Sequence, residues 1–203
     1  MSLTFDPEKH EYRVDGRVVP GVTKVLAPLY SWGHIKPEVL QAKQELGKAV
    51  HFAVHLDKRG CLDESSVDPQ IAGYLDAYRK FRHEKKPRSL LNEQQFAHPV
   101  RGYAGTLDDV SLFDDALWFI DWKATVALYP QTGVQLAAYR ELVRVSEWLA
   151  GMPELRRLPQ CRCALQLKPN GKYQLESFQD PGDLATFIGL LAIYHWRNAH
   201  GIG

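Results

Sequence analysis

Two strand-like apolar runs, separated only by Asp114-Asp115, constrain the fold of this chain more than any other feature. They lie within GTLDDVSLFDDALWFIDWKAT, residues 105–125. A short acidic pair between β-prone runs reads as a tight reversal, because Asp tolerates the left-handed backbone that such turns need. Both runs carry apolar residues at odd and even positions, so both faces of the resulting hairpin must be covered. Helices on each side of a sheet are the economical cover, which points to an α/β sandwich with a mixed sheet. A reversal centred between Asp114 and Asp115 sets Val110 opposite Phe119, Leu112 opposite Leu117, and Asp108 opposite Asp121. Directly opposed Cβ atoms lie roughly 4.5–5.5 Å apart. A turn displaced by one residue would send the two acids to opposite faces.

The flanking sequence supplies the layers. YRVDGRVVPGVTKVL reads as two short strands around Asp15-Gly16. Pro37 suits the first turn of a helix running to about Lys58. That helix has an apolar stripe at Val39, Leu40, Leu46, Val50 and Val54, with Gly47 and His51 on the same side. DPQIAGYLDAYRKFRHEKKP is a second helix, stopped by Pro87. NEQQFAHPV is a strand. TGVQLAAYRELVRVSEWLAG is expected to be one helix ended by Gly151. CRCALQLKPNGKYQLESF is a hairpin turning at Asn170-Gly171, and a last helix follows, with its cap expected near Asp183.

The length of 203 residues suggests one domain, with an N-terminal hairpin region and linker over 1–36 and the core over 37–203. A net charge of +1 gives no overall field to attract nucleic acid or membrane, and leaves room for a local basic groove. Three cysteines, Cys61, Cys161 and Cys163, are too few for a disulfide framework or an all-cysteine metal site. They suit a reducing, cytoplasmic setting. The N-terminal residues show no apolar signal core, and no run reaches membrane-spanning length, so a membrane partner is not expected.

The chemistry concentrates on the second strand of the central hairpin. Asp121 and Lys123 are two apart and project from one face. With Asp108 opposed, two carboxylates in a dry site repel each other. One stays protonated, or Lys123 neutralises them, or a divalent cation sits between them. Hard cations such as Mg²⁺ take oxygen ligands, bind phosphate oxygens and activate water. An adjacent lysine orients that water or stabilises negative charge. A structural Asp–Lys pair at a strand end remains the alternative from these residues alone.

YAGTLDDV, then FIDWKAT, then VQLAAY resembles the PD-(D/E)XK nuclease superfamily, in particular its RecB-type exonuclease branch. That branch pairs a Gly-x-x-Asp strand (here Gly105 to Asp108) with an Asp-x-Lys strand (Asp121 to Lys123). A helix with Gln-x-x-x-Tyr follows (Gln135, Tyr139). LGKAVH, with Gly47 and His51, resembles its upstream helix, and VPGVTKVL a segment that often precedes that helix. The match covers roughly residues 12 to 140, in order. It implies a restriction-endonuclease-like fold and cleavage of DNA, most simply as an exonuclease in recombination, repair or phage DNA processing. It also implies Mg²⁺ or Mn²⁺ held by His51, Asp108, Asp121 and the Trp122 backbone carbonyl. Lys123 would act on the attacking water or the scissile phosphate, with Gln135 and Tyr139 lining the site. One position departs from the pattern: His55 stands where the branch often has Glu. A catalytically weakened module that binds nucleic acid or a protein partner is the alternative.

Further candidates are His55 and Glu93 as metal contacts or supporting acids. Arg79, Lys80 and Arg82 form a basic run, and Arg101 and Tyr103 stand just before the catalytic strand, all as DNA contacts. Linear duplex or single-stranded DNA is the expected partner, with a homo-oligomer or a recombination partner protein also compatible with the sequence.

Overall fold

A computed structural model describes residues 1–30 and 36–202. Part of the expected linker, residues 31–35, lies outside the described residues. The chain opens with three antiparallel strands, β1 (Leu3–Asp6), β2 (Glu11–Val14) and β3 (Arg17–Val19). Asp15 and Gly16 both take positive φ, 47° and 79°, as the tight turn between β2 and β3 requires. The short α1 (Val22–Val25) and two long helices follow, α2 (Pro37–Lys58) and α3 (Pro69–Lys85).

The main sheet has five strands in sequence order: β4 (Arg88–Ala97), β5 (Ala104–Phe113), β6 (Ala116–Lys123), β7 (Gln160–Leu167) and β8 (Tyr173–Ser177). All neighbours are antiparallel except β6 and β7, which run parallel. A parallel pair needs a crossover, and α4 (Gln131–Arg144), α5 (Glu147–Ala150) and α6 (Pro153–Arg157) supply it. The chain ends in α7 (Asp183–Ala199). Helices α1, α4 and α7 cover one face of the sheet, packing on Val110, Leu117 and Phe119, while α2 and α3 cover the other, packing on Phe113, Ile120 and Trp122. This is the expected mixed α/β architecture, compatible with a restriction-endonuclease-like fold. Among the described residues no helix is long and apolar enough to cross a membrane.

The central register is the expected one. Val110 pairs with Phe119 and Leu112 with Leu117, and Asp114 and Asp115 make the reversal at φ 49° and 55°. Five expectations change. β4 begins at Arg88 rather than near Asn92, and β6 stops at Lys123. The single helix expected over 132–151 breaks at Val145–Ser146, where Ser146 turns extended and its side chain caps α5 by accepting from the Leu149 N–H. Asp183 does not cap α7; it is drawn inward to a buried ion pair with Arg162, and Gly182 takes the cap position. The expected apolar stripe of α2 buries only its C-terminal part. Val50, Ala53 and Val54 are buried, whereas Val39 is 45% exposed.

Candidate active site

β5 and β6 bring the two acids of the hairpin to one end of the sheet. Asp108 sits one step beyond the Asp109–Ile120 pair, and its Oδ2 accepts the Trp122 backbone N–H at 2.8 Å. This contact ties β5 to β6 and fixes the Asp108 carboxylate. Asp121 is almost fully buried. Its Oδ2 lies 2.7 Å from Lys123 Nζ, an ion pair without hydrogen-bond alignment, and its Oδ1 accepts from Gln135 Nε2 at 3.1 Å. Gln135 Oε1 in turn accepts from Lys123 Nζ at 3.2 Å, and Gln135 Nε2 lies 3.4 Å from Tyr139 Oη. Asp121, Lys123, Gln135 and Tyr139 are thus one hydrogen-bonded group between β6 and α4. Gly105 makes it possible: a Cβ there would lie 2.6 Å from Tyr139 Cε1.

α2 enters from the other side. His51 Nε2 donates to the Trp122 carbonyl at 2.7 Å, which turns Nδ1 toward Asp108 Oδ1, 3.7 Å away. The carbonyl expected to ligate a metal therefore already carries the histidine N–H. Glu93 completes the cluster. It stands on β4 at the level of Asp108, between the Asn92–Asp109 and Gln94–Leu107 pairs, with a left-handed backbone at φ 49°. One donor atom from each of His51, Glu93 and Asp108 lies within 4.8 Å of the others. Asp121 stays outside this trio, turned to Lys123 and Gln135.

The electrostatics follow from burial. Desolvation pushes the Asp108 carboxyl up to about 6, with the Asp121 charge adding to the shift and His51 opposing it. Desolvation and the Asp108 charge push Glu93 up to about 7. Burial pulls the Lys123 ammonium down, but the Asp121 carboxylate more than offsets this and its pKa is raised. Lys123 thus keeps its proton and serves as a fixed positive charge. Two carboxyls and an imidazole, converging where charge is costly, could together hold a divalent cation. The Asp121 Oδ2 is already neutralised by the Lys123 ammonium 2.7 Å away.

These raised values have a consequence for stability. A carboxyl with a raised folded pKa binds its proton more tightly when folded. Its stabilising effect is complete below the unfolded values near 4 and is lost as pH rises through about 6 for Asp108 and about 7 for Glu93. In EDTA the thermal midpoint should fall between about pH 5 and about pH 8, and Mn²⁺ should restore it at the upper end. Differential scanning fluorimetry across pH, with and without Mn²⁺, checks this.

Other candidates divide. His55 is outside the trio: its Nδ1 donates to Asn92 Oδ1 at 2.8 Å, and Asn92 Nδ2 donates to the Asp108 carbonyl at 3.1 Å. It braces β4 and β5 rather than facing the donor atoms. Tyr103 is not available for base stacking: it is fully buried, its Oη donates to the Ala138 carbonyl at 3.2 Å, and its ring packs on Phe187. Arg101 is exposed. The basic run is largely neutralised. Arg79 pairs with Asp57 and Glu64, Arg82 with Asp57 at 3.4 Å, and Lys80 lies 3.9 Å from Glu84.

Two residues of this neighbourhood carry little sequence signal, Glu93 with its left-handed backbone on β4 and Lys58 at the end of α2. Lys58 Nζ lies 3.0 Å from Asp109 Oδ2, donates to Ser89 Oγ at 2.8 Å, and sits over the Trp122 ring. Ser89 and Ser111 hydroxyls donate to the same carboxylate. This buried network lies across the sheet from Asp121 and fastens α2, and with it His51, to β5. Its sequence signal is slight: Asp109 is a second acid beside Asp108, on the strand's other face. Tyr30 also belongs to the neighbourhood, since the charges of Lys123 and Asp121 both act on its phenol.

No protein-family model matches the chain, and no curated protein matches it. Among solved structures it is similar to an alkaline exonuclease from Laribacter hongkongensis, at 11% identity over 90% of this chain and 94% of that chain, with a TM-score of 0.32. That likeness is too distant to assign a function.

Proposed function

We propose that the chain is a divalent-metal-dependent nuclease that hydrolyses phosphodiester bonds in DNA, acting as an exonuclease in recombination, repair or phage DNA processing. The observation that carries this is the convergence of His51, Glu93 and Asp108 within 4.8 Å, beside the Asp121–Lys123 ion pair. The ordered motifs of the sequence supply the reaction class. His51, Glu93 and Asp108 would hold Mg²⁺ or Mn²⁺, with Asp121 alongside. A bound ion of this kind polarises a phosphoryl oxygen and lowers the pKa of its water.

The chain's own residues do the rest. The Trp122 N–H keeps Asp108 turned into the site. The Lys123 ammonium stabilises the negative charge that grows on the phosphoryl oxygens during in-line attack. Gln135 holds Lys123 and Asp121 in register, and Tyr139 backs Gln135. The catalytically weakened binding module draws its one support from His55, which takes a carboxylate's place without offering a ligand.

The test is cleavage of end-labelled linear, circular and single-stranded DNA with Mg²⁺ and Mn²⁺. Linear DNA should be degraded from its ends, and Lys123→Ala should lower the rate by about 10²–10³-fold without unfolding the chain. Wild-type rates in Lys123→Ala would remove the mechanism. Metal binding without cleavage of any substrate would favour the module.

A further inference from the structure

Three residues of α2, at i, i+4 and i+7, each meet the same two strands. His51 converges with Glu93 of β4 and Asp108 of β5. His55 donates to Asn92 of β4, whose amide donates to the Asp108 carbonyl of β5. Lys58 donates to Ser89 of β4 and lies 3.0 Å from Asp109 of β5. Residues with this spacing share one side of a helix. The contacts form a ladder, with the converging donor atoms on its first rung and an ion pair on its last.

Stability alone does not account for the last rung. The Lys58 and Asp109 side chains are 9% and 4% exposed. A buried ion pair loses in desolvation much of what it gains in attraction, and apolar side chains of similar size often serve the fold as well. What the pair does supply is a fixed geometry. Ser89 Oγ donates to Asp109 Oδ1 at 2.8 Å, so one ammonium and one hydroxyl tie α2, β4 and β5 at a single point. β4 needs a tie there, because its pairing with β5 is irregular between Ser89 and Leu91 and its backbone is left-handed at Glu93. Lys58 Nζ also sits 5.1 Å from the centre of the Trp122 ring. The backbone of the same Trp122 holds Asp108 through its N–H and His51 through its carbonyl.

We propose that Lys58, Ser89 and Asp109 are positioning residues for the cation site. Their contacts set the separation of His51, Glu93 and Asp108, one donor on each of the three elements that they join. This rests on the reading of that trio as a metal site. His55 and Asn92 form the rung between, which gives His55 a role without making it a ligand.

The test removes both charges together. Lys58→Met with Asp109→Asn leaves no ion stranded and keeps an amide oxygen for the Ser89 and Ser111 hydroxyls, so Tm should stay within a few degrees of wild type. Two readouts follow the site itself. Mn²⁺ affinity, titrated by electron paramagnetic resonance, should fall about 10–100-fold, the usual cost of losing a residue that orients ligands. The second readout is NMR of the imidazole nitrogens in metal-free protein, at mildly alkaline pH. Wild type should hold His51 in the Nε2–H form that its bond to the Trp122 carbonyl requires, and the double variant should show a mixture of tautomers. Ser89→Ala, at an exposed position, is the milder variant and should move both readouts the same way by less. Where the double variant does not fold, Ser89→Ala decides in its place. The control is a buried ion pair on other elements, Arg162→Met with Asp183→Leu, which should move neither readout. A folded double variant with wild-type Mn²⁺ affinity, or with His51 still wholly in the Nε2–H form, overturns this inference and leaves the metal reading standing. A control that shifts both readouts as far overturns it too, because general loosening would then explain them. A wild-type chain that binds no Mn²⁺ overturns the metal reading and this inference with it.

Discussion

Asp108→Asn should make the protein more resistant to heat and almost inactive. The two effects share one cause. At neutral pH the Asp108 carboxylate is ionised at a site that raises its pKa from 3.8 to about 6, which costs on the order of 3 kcal/mol of folding stability. The amide has no charge to desolvate, and its oxygen still accepts the Trp122 N–H that Asp108 holds at 2.8 Å. Part of the relief is shared with Glu93, which loses its repelling neighbour. A rise of about 5 °C in Tm in EDTA is expected. On the proposed function the same substitution also removes a carboxylate that would hold the metal, so cleavage should fall by about 10³-fold. Melting curves in EDTA at neutral pH and initial rates on labelled DNA measure both arms. A lower Tm would show that the carboxylate stabilises the fold, and an unchanged rate would show that it is not part of the chemistry.

Asp183→Ala should be the most destabilising single change for its size. Arg162, 4% exposed at its side chain, donates to Asp183 Oδ2 at 2.7 Å, to the Gly133 carbonyl at 2.9 Å and to the Asp180 carbonyl at 2.9 Å. One guanidinium on β7 thus holds the start of α4 and the start of α7. Removing Asp183 leaves that cation buried without its counter-charge, and such broken pairs cost about 3–5 kcal/mol. Tm should fall by about 10 °C. Replacing both partners, Arg162→Met with Asp183→Leu, should recover most of the loss, because no charge is then left stranded. Equilibrium denaturation of Asp183→Ala and of the double variant checks this. A loss under about 1 kcal/mol in Asp183→Ala would mean that the pair behaves as an exposed one. Activity should decline with stability, since α4 carries Gln135 and Tyr139.

Short-range signals in the sequence are legible, and long-range ones are not. Asp114-Asp115 is local: two residues that accept left-handed backbone fixed the turn, the turn fixed the register, and the register brought Asp108 and Asp121 to one end of the sheet. The i, i+4 spacing of Gln135 and Tyr139 likewise gave their shared face. Glu93 was harder, because β4 carries a register irregularity between Ser89 and Leu91 and a left-handed residue at Glu93 itself, and alternation cannot be counted through either. The Arg162–Asp183 pair joins residues on different elements, and no periodicity announces it. Asp183 looked like a helix cap because Asp usually is one, and the buried guanidinium outcompeted the helix N-terminus for it. Tyr103 looked like a surface aromatic beside a basic residue, and the packing of Phe187 and α4 took it into the core.

On the proposed function, His51, Glu93 and Asp108 share one divalent cation, with Asp121 and Lys123 alongside. The most direct measurement is titration with Mn²⁺, followed by electron paramagnetic resonance, for wild type, Asp108→Asn and Glu93→Gln. One saturable site is expected in wild type, weakened at least about tenfold in each variant. Equal Mn²⁺ binding in all three proteins, or none in wild type, would contradict it.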